Sequence, residues 1–187
     1  MIGPPVGPVA DSVRLALPAE ASAIAALQRR AWAERMPQAA LDELVAELDL
    51  DAMTSSWHTA IVAPPEARYR VLVAVDDGGV RGFASTTPSP DPDADPRRDG
   101  AVDEFAIDPT ARRRGHGSRL VNACVDTLRA DGFARARWWV DSTDDVLRSF
   151  LAAAGWATDG AHRELGRDDD EAVRLKQVRL HSDIGPA

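Results

Sequence analysis

The chain has 187 residues, of which 44% are hydrophobic and 28% charged, a composition typical of a globular protein that buries a core. Its 30 acidic and 22 basic residues give a formal net charge of -8, which argues against general binding to nucleic acid or to an anionic membrane surface. The single cysteine excludes an intramolecular disulfide, and no apolar run is long enough to predict a membrane-spanning helix. Because the first residues do not form a secretory signal, we expect a cytoplasmic protein.

The N-terminal third predicts a lead-in, a strand and helices. Residues 1–11 are rich in Gly and Pro and predict a flexible lead-in, and the run VRLAL at residues 13–17 predicts a strand. Apolar residues at helical spacing predict one helix beginning at Ala19 and ending before Pro37, and a second around residues 41–48. The stretch from Trp57 to Ala63 leaves helix and loop open.

The middle of the chain predicts strands. Two β-type runs at residues 69–75 and 80–86 flank Asp-Asp-Gly-Gly, which is typical of a tight hairpin. Prolines and aspartates then alternate through residues 88–100, which predict a surface loop and leave open whether it is ordered or disordered. Residues 101–107 predict another strand, stopped by Pro109.

The last third alternates helices and strands. Leu120, Cys124 and Leu128 mark the apolar face of a helix that ends near Gly132. A strand at residues 135–140, a helix ending at Gly155 and two further strands complete the chain, with an acidic turn at residues 167–171 between those strands. The order of elements mixes hairpins with crossovers and therefore predicts an α/β sheet of mixed pairing.

The sequence RRRGHGS, residues 112–118, directly follows a predicted strand and opens the next helix. The first amides of a helix have no intrahelical acceptor and lie at the positive end of the helix dipole, so such a turn attracts anions. Gly115 and Gly117 let the backbone approach an oxygen atom, and the arginines before them add forked cationic donors. The turn therefore predicts a cradle for a diphosphate.

Three other interpretations of this turn are weaker. A P-loop requires Gly-Lys-Ser/Thr at the helix start, where this chain has Gly117, Ser118 and Arg119. A dinucleotide-binding fingerprint requires a third glycine where Leu120 stands. A basic run that is merely solvated is disfavoured because cations at a helix N-terminus oppose the dipole unless an anion joins them.

Residues Arg112–Gly117 resemble the Arg/Gln-x-x-Gly-x-Gly/Ala signature of the GNAT superfamily of acyl-CoA-dependent N-acyltransferases. The stretch DSTDDVLRSFLAAAGW, residues 141–156, is similar to the family's second signature, with Trp156 where a phenylalanine is usual. The order of elements agrees from Val13 to Leu180. The resemblance implies a mixed, mostly antiparallel sheet of about six to seven strands with helices on both faces, in one acetyltransferase domain at residues 12–182.

The resemblance also implies acetyl-CoA as co-substrate, held by the strand, the turn and the helix start. The implied contact residues are Phe105, Ala106, Ile107, Arg112, Arg113, Arg114, Gly115, His116, Gly117 and Ser118. The side chain of His116 either touches a phosphate or points to solvent. Four scattered histidines and one cysteine give no metal-ligand spacing, so we expect no metal.

Acyl transfer to an amine requires the neutral amine, and a carboxylate can remove its proton. Asp103 and Glu104 on the strand before the turn are the candidate bases. They face opposite sides of a strand unless a bulge intervenes. The sequence does not decide between them, and we favour Glu104.

The family's second helix commonly has Phe-Tyr, the tyrosine serving as general acid, whereas this chain has Phe150 and Leu151. Leu151 cannot donate a proton, and the only tyrosine, Tyr69, lies on an early strand. Cys124 belongs to an apolar stripe and fits a small buried hydrophobe better than a nucleophile. Direct transfer in a ternary complex is therefore the expected mechanism.

The acceptor cannot be read from the sequence. The acidic balance favours a cationic acceptor such as an amine, and His58 beside Trp57 is either structural or part of an acceptor pocket. The expected partners are acetyl-CoA and this amine, with no nucleic acid and no membrane, and a homodimer is possible. The absent tyrosine keeps an alternative open, a non-catalytic acyl-CoA-binding or sensor module.

Overall fold

A computed structural model describes residues 12–35, 41–42, 49–77, 79–165 and 175–185. In these residues the strands are β1 (Ser12–Leu15), β2 (Arg70–Asp76), β3 (Gly79–Pro88), β4 (Asp99–Ile107), β5 (Arg135–Asp141), β6 (Ala157–Leu165) and β7 (Leu175–Asp183). The helices are α1 (Ala21–Arg35), α2 (Leu50–Val62), α3 (His116–Ala130) and α4 (Asp145–Ala153), with short 3-10 helices at Pro18–Glu20 and Pro109–Ala111.

The strands form one seven-stranded sheet in the order β1-β2-β3-β4-β5-β7-β6. β1 pairs antiparallel with β2, and β7 pairs antiparallel with both β5 and β6. β4 and β5 pair in parallel, from Asp99 with Arg135 to Val102 with Trp138, because helix α3 carries the chain back between them. The predicted mixed, mostly antiparallel α/β fold is confirmed.

The chain divides into two compact units, each with its own packing. The first unit lies within Met1–Ser85 and Glu104–Cys124. Its core joins α1 to strands β2 and β3 through buried residues that include Ile24, Leu27 and Val73, and Ala106 of β4 belongs to the same cluster. Trp57 of α2 packs edge-on against Phe83, with ring centroids 5.0 Å apart.

The second unit lies within Thr86–Asp103 and Val125–Ala187. Trp138 of β5 packs edge-on against Trp156, with ring centroids 5.7 Å apart, so the two tryptophans are core residues. Gly100 allows Leu128 and Phe133 to pack closely on β4, since a Cβ there would lie 2.6 Å from Leu128 and 2.8 Å from Phe133.

The structure decides two questions that the sequence left open. The ambiguous stretch at Trp57 is helical, because α2 extends over Leu50–Val62 with Asp49 accepting a hydrogen bond from the amide of Ala52. The proline-rich loop at residues 88–100, for which the sequence left disorder open, makes specific side-chain contacts. Its aspartates bind arginines and a tryptophan of β5 and β7, and Ser89 is buried.

Several predicted features lie outside the described residues. They are the flexible lead-in at residues 1–11, most of the helix predicted around residues 41–48, and the acidic turn at residues 167–171.

Candidate functional site

The turn that follows β4 begins at Asp108, which fixes how the chain leaves the strand. The Asp108 amide donates to the carbonyl of Arg81 at 2.8 Å, and its carboxylate accepts from the amide and the hydroxyl of Thr110 at 3.0 and 2.8 Å. Arg30 of α1 donates to the other carboxylate oxygen at 2.7 Å. Burial opposes ionisation, yet the hydrogen bonds from Thr110 and Arg30 lower the pKa of Asp108. Asp108 is therefore a charged anchor for the turn.

The backbone then reverses through two residues in the left-handed region. Arg113 has a φ of 61° and Gly115 a φ of 81°. The first is uncommon for a residue with a side chain, and the second is where glycine is favoured. Helix α3 begins at His116, so the amides of residues 116–118 belong to its first turn and have no intrahelical acceptor. The reversal presents these donors together at the start of the helix.

The charge around the turn is positive. The first turn of α3 contains no acidic residue. The side chains of Arg112, Arg113 and Arg114 are exposed, and Arg112 pairs with Glu34 of α1. Helix dipole and arginines together favour an anion at this position.

Ile107, the last residue of β4, connects the strand to the start of α3. A Cβ on Gly117 would lie 3.7 Å from Ile107 Cγ1, an ordinary packing distance. A Cβ on Gly82 of β3 would lie only 2.5 Å from Ile107 Cδ1. Because Gly82 has no side chain, the Ile107 side chain can occupy this space.

The side chain of His116 points into the protein. It is only 1% exposed, with Nε2 3.7 Å from Asp76 Oδ2 and Nδ1 3.2 Å from Arg119 Nη2. The structure shows neither of the two orientations left open by the sequence, because the ring faces Asp76 and Arg119 inside the protein.

The two candidate bases have different surroundings. Glu104 is half-buried, and its amide donates to Ser85 Oγ at 3.0 Å. It is two residues from Ala106, which packs with α1, so strand alternation directs Glu104 to the face that α1 covers. Asp103 keeps an exposed surface on the opposite face. Crowding by protein atoms raises the pKa of Asp103, an effect that Arg163 partly offsets.

The other candidate residues are either buried or lie on elements other than β4 and the turn. Cys124 is fully buried, and burial raises the pKa of its thiol to about 12. Leu151 is fully buried in the second unit, where it packs as a core residue. Tyr69 is half-buried before β2, and His58 is exposed on α2.

Two kinds of feature are missing from the part of the chain that the structure describes. None of its helices combines the length and apolar composition that crossing a bilayer demands. In the same residues, no three His, Cys, Asp or Glu side chains converge as ligands for a metal ion.

The sequence model of the acetyltransferase (GNAT) family matches residues 26–156, which include the turn, both candidate bases and the second signature. The chain belongs to the GNAT acetyltransferase family. The resemblance seen in the sequence is thereby confirmed, and the turn after β4 lies within the matched region of this GNAT protein.

Curated relatives of this GNAT protein include the mycothiol acetyltransferase of Thermomonospora curvata, which is 32% identical over 107 residues. The match covers 57% of this chain and 33% of that relative, so the chain spans about a third of the length of the curated proteins that it matches.

Solved structures share the fold. The protein yncA of Salmonella typhimurium, solved with acetyl-CoA, has a TM-score of 0.67 at 17% identity, covering 94% of this chain and 95% of that one. An N-acetyltransferase from Staphylococcus aureus has a TM-score of 0.69 at 15% identity, covering 94% and 99%.

Sequence reasoning missed the residues that support the turn from elsewhere. Arg30, Glu34 and Asp76 are distant in sequence from the turn, and no local pattern marks them. Asp108 and Arg119 carried a signal, since Asp before Pro at the end of a strand is typical of a turn, and Arg119 follows His116 at helical spacing.

Proposed function

We propose that this protein transfers the acetyl group of acetyl-CoA to a primary amine of a small molecule or peptide. The observation that carries the proposal is the turn after β4, where left-handed backbone at Arg113 and Gly115 opens a helix whose first turn lacks acidic side chains. Family membership supports acetyl-CoA as the ligand of this turn.

In this proposal the turn binds the diphosphate of acetyl-CoA and β4 binds its pantetheine arm. Backbone amides of residues 115–118 donate to phosphate oxygens, and exposed arginine side chains neutralise their charge. The strand contributes Phe105, Ala106 and Ile107, and the turn and helix start contribute Arg112, Arg113, Arg114, Gly115, His116, Gly117 and Ser118. When bound, the co-substrate supplies the activated acetyl group.

The attacking amine loses a proton, and we assign its removal to Glu104. Strand alternation directs this carboxylate to the face covered by α1, the helix at the start of the region that we expect to bind the acceptor. Asp103 is the other candidate. Its pKa is raised, so its carboxylate is more basic than that of an ordinary aspartate. A general base of this kind accelerates transfer by roughly 10²- to 10⁴-fold.

Direct transfer fits this protein better than an acyl-enzyme. The thiol of Cys124 is fully buried and its pKa is raised to about 12, so it supplies almost no thiolate at neutral pH. Leu151 has no proton to give. A thiol with a reference pKa of about 8.5 leaves without full protonation, so the missing tyrosine slows the reaction without changing its class.

The acceptor is proposed only as a class. The net charge of -8 favours a cationic amine. Because curated relatives are mycothiol acetyltransferases, the acceptor of those enzymes belongs in the panel of amines to be tested. Residues 12–182 as one acetyltransferase domain, a cytoplasmic location and a homodimer remain predictions.

The decisive experiment measures CoA thiol released from acetyl-CoA in the presence of an amine panel. We expect turnover with at least one amine, a loss of roughly 10²- to 10⁴-fold in Glu104→Gln, and a smaller loss in Asp103→Asn. A larger loss in Asp103→Asn reverses the assignment of the base.

The second candidate function is a non-catalytic acyl-CoA-binding or sensor module, which the aliphatic Leu151 favours. It predicts protection against heating without turnover. Acetyl-CoA at about 100 times its dissociation constant stabilises the folded state by about 2.7 kcal/mol. Absence of protection by acetyl-CoA and by other short acyl-CoAs contradicts both functions.

A further inference from the structure

The side chain of His116 is buried at the base of the proposed diphosphate turn. It is 1% exposed, and none of the described residues offers its Nε2 atom a hydrogen-bond partner. The nearest carboxylate oxygen, Asp76 Oδ2, is 3.7 Å away, and Arg81 donates to the other oxygen of Asp76 at 2.7 Å. A histidine in this position contacts no ligand in the turn with its ring.

The neighbours of the ring define its tautomer. The guanidinium of Arg119 only donates, and Nη2 lies 3.2 Å from His116 Nδ1, so Nδ1 is the acceptor. The proton is therefore on Nε2, which faces the carboxylate of Asp76. The ring accepts from Arg119 on one side, and on the other it faces Asp76 at 3.7 Å.

Arg119 reaches back over the turn. Its Nη1 atom would lie 3.2 Å from a Cβ on Gly115, and its Nη2 donates to the carbonyl of Arg114 at 3.4 Å. A trans peptide points its carbonyl and its N–H in opposite directions. Holding the Arg114 carbonyl toward Arg119 therefore directs the amide of Gly115 to the other side.

We propose that His116 is a positioning residue that, through Arg119, orients the Gly115 amide toward the diphosphate of the acyl donor. This inference rests on the proposed function, because it concerns the same turn. His116 acts on the ligand through two intermediates, the Arg119 guanidinium and the Arg114–Gly115 peptide. This role of His116 affects only ligands with phosphates, since a ligand without phosphates does not use the Gly115 amide.

The test compares binding of CoA and of pantetheine, which lacks the diphosphate, by titration calorimetry. In His116→Leu we expect CoA to bind about tenfold more weakly, because this is the effect of losing one hydrogen bond to a charged group. Pantetheine binding should change less than about twofold. The KM for acetyl-CoA should rise in parallel while kcat stays nearly constant. His116→Asn should restore most of the affinity because its amide oxygen can accept from Arg119.

The control is His162→Leu, the same substitution at an exposed position of β6, which should leave CoA binding unchanged. If His116→Leu fails to fold, Arg119→Met tests the same step and should weaken CoA binding to a similar extent. The double variant should be no weaker than Arg119→Met alone, since His116 acts through Arg119.

The outcomes separate the two proposals. Wild-type protein that binds neither CoA nor acetyl-CoA overturns the proposed function. Wild-type protein that binds CoA, with His116→Leu and Arg119→Met binding it equally well, overturns the positioning inference alone. A parallel loss of CoA and pantetheine binding also overturns the inference, because it indicates a general structural effect.

Discussion

Two groups of arginines in this protein have opposite surroundings. In the second unit, Arg137 is 4% exposed and binds Asp93 and Asp99 at 2.8 and 2.9 Å. Arg179 is 7% exposed and binds Asp93 and Asp159 at 2.7 Å. In the first unit, the side chain of Arg112 is 52% exposed and pairs only with Glu34 among the described residues.

The difference shows what arginine charge does in each place. In the second unit the arginines pair with carboxylates. The hydrogen bonds from Arg179 and Arg137 lower the pKa of Asp93 and tie the loop before β4 to β5 and β7. At the turn Arg112 pairs with Glu34 but stays half-exposed, and Arg113 and Arg114 are exposed. An acidic protein can therefore keep a local anion site, provided that its acidic residues near the site are held by other arginines, as Asp108 is by Arg30.

The largest effect is expected where the arginine is buried. Arg137→Met leaves the Asp99 carboxylate, 5% exposed, without its nearest guanidinium. Removing one partner of a buried ion pair destabilises by about 3 to 5 kcal/mol. The free energy of unfolding in urea measures this loss.

The contrasting variant is Arg112→Met at the turn, which should change the free energy of unfolding by no more than about 0.5 kcal/mol. Equal losses of unfolding free energy in the two variants contradict the distinction between arginines paired with buried carboxylates and exposed arginines at the turn.

A glycine substitution separates the geometry of the turn from its charge. Gly115→Ala places a side chain at a φ of 81° and sets its Cβ 3.2 Å from Arg119 Nη1. The left-handed conformation costs about 1 to 2 kcal/mol, and we expect CoA affinity to fall as well. Unfolding free energy and calorimetric CoA binding are measured on the same samples.

Gly132→Ala is the matched control for Gly115→Ala. Gly132 has a φ of 89° but no atom within 4 Å of its Cβ position. The control should lose similar stability and keep its affinity for CoA. Equal affinity losses in both variants contradict a special geometry at Gly115.

The two regions also differ in how far the sequence predicted them. The turn was predicted because its determinants are contiguous, and strand, glycines and helix start follow one another in residues 101–118. For the loop the sequence left disorder open, because prolines and aspartates bury no apolar area. Its partners, Arg137 and Arg179, lie on later strands, and only the parallel β4–β5 and antiparallel β5–β7 pairings bring them to it.

Within the site, single side chains were predicted less well than the backbone. The sequence places His116 in the turn, but the inward-facing ring lies beside Asp76, which is forty residues earlier in the chain. Alternation along a strand separated Asp103 from Glu104 without assigning a face to either. The assignment required the packing of Ala106 against α1.

An intermediate effect is expected from charge at the turn. Arg112→Met removes an exposed guanidinium, and we expect CoA to bind about tenfold more weakly, since a hydrogen bond to a charged group is lost and the freed Glu34 repels the phosphates. The difference from wild type should shrink as salt is raised, because exposed charges are screened. Arg14→Met, which removes an exposed arginine paired with Glu20, is the control and should bind CoA normally.

The smallest effect concerns Asp103, whose carboxyl lies in the second unit beside Arg163. Its pKa is raised above the ordinary value of 3.8, so the folded state holds the proton more tightly than the unfolded state does. Stability therefore decreases as pH rises from 3.8 through the raised pKa, and the loss is complete above it. Asp103→Asn removes this loss, so its melting temperature should equal that of wild type near pH 4 and be slightly higher at pH 8.

The control for Asp103→Asn is Asp77→Asn, the same substitution at an exposed position in the turn after β2. Lower stability of Asp103→Asn at pH 8 contradicts the expectation, because it means that attraction to Arg163 outweighs desolvation. Asp103 would then resemble the aspartates bound to Arg137 and Arg179, whose carboxylates stabilise the second unit in their charged form. The sign of this difference in melting temperature therefore decides between two roles for Asp103. Its carboxylate is either held by an arginine, like the aspartates bound to Arg137 and Arg179, or available as a base.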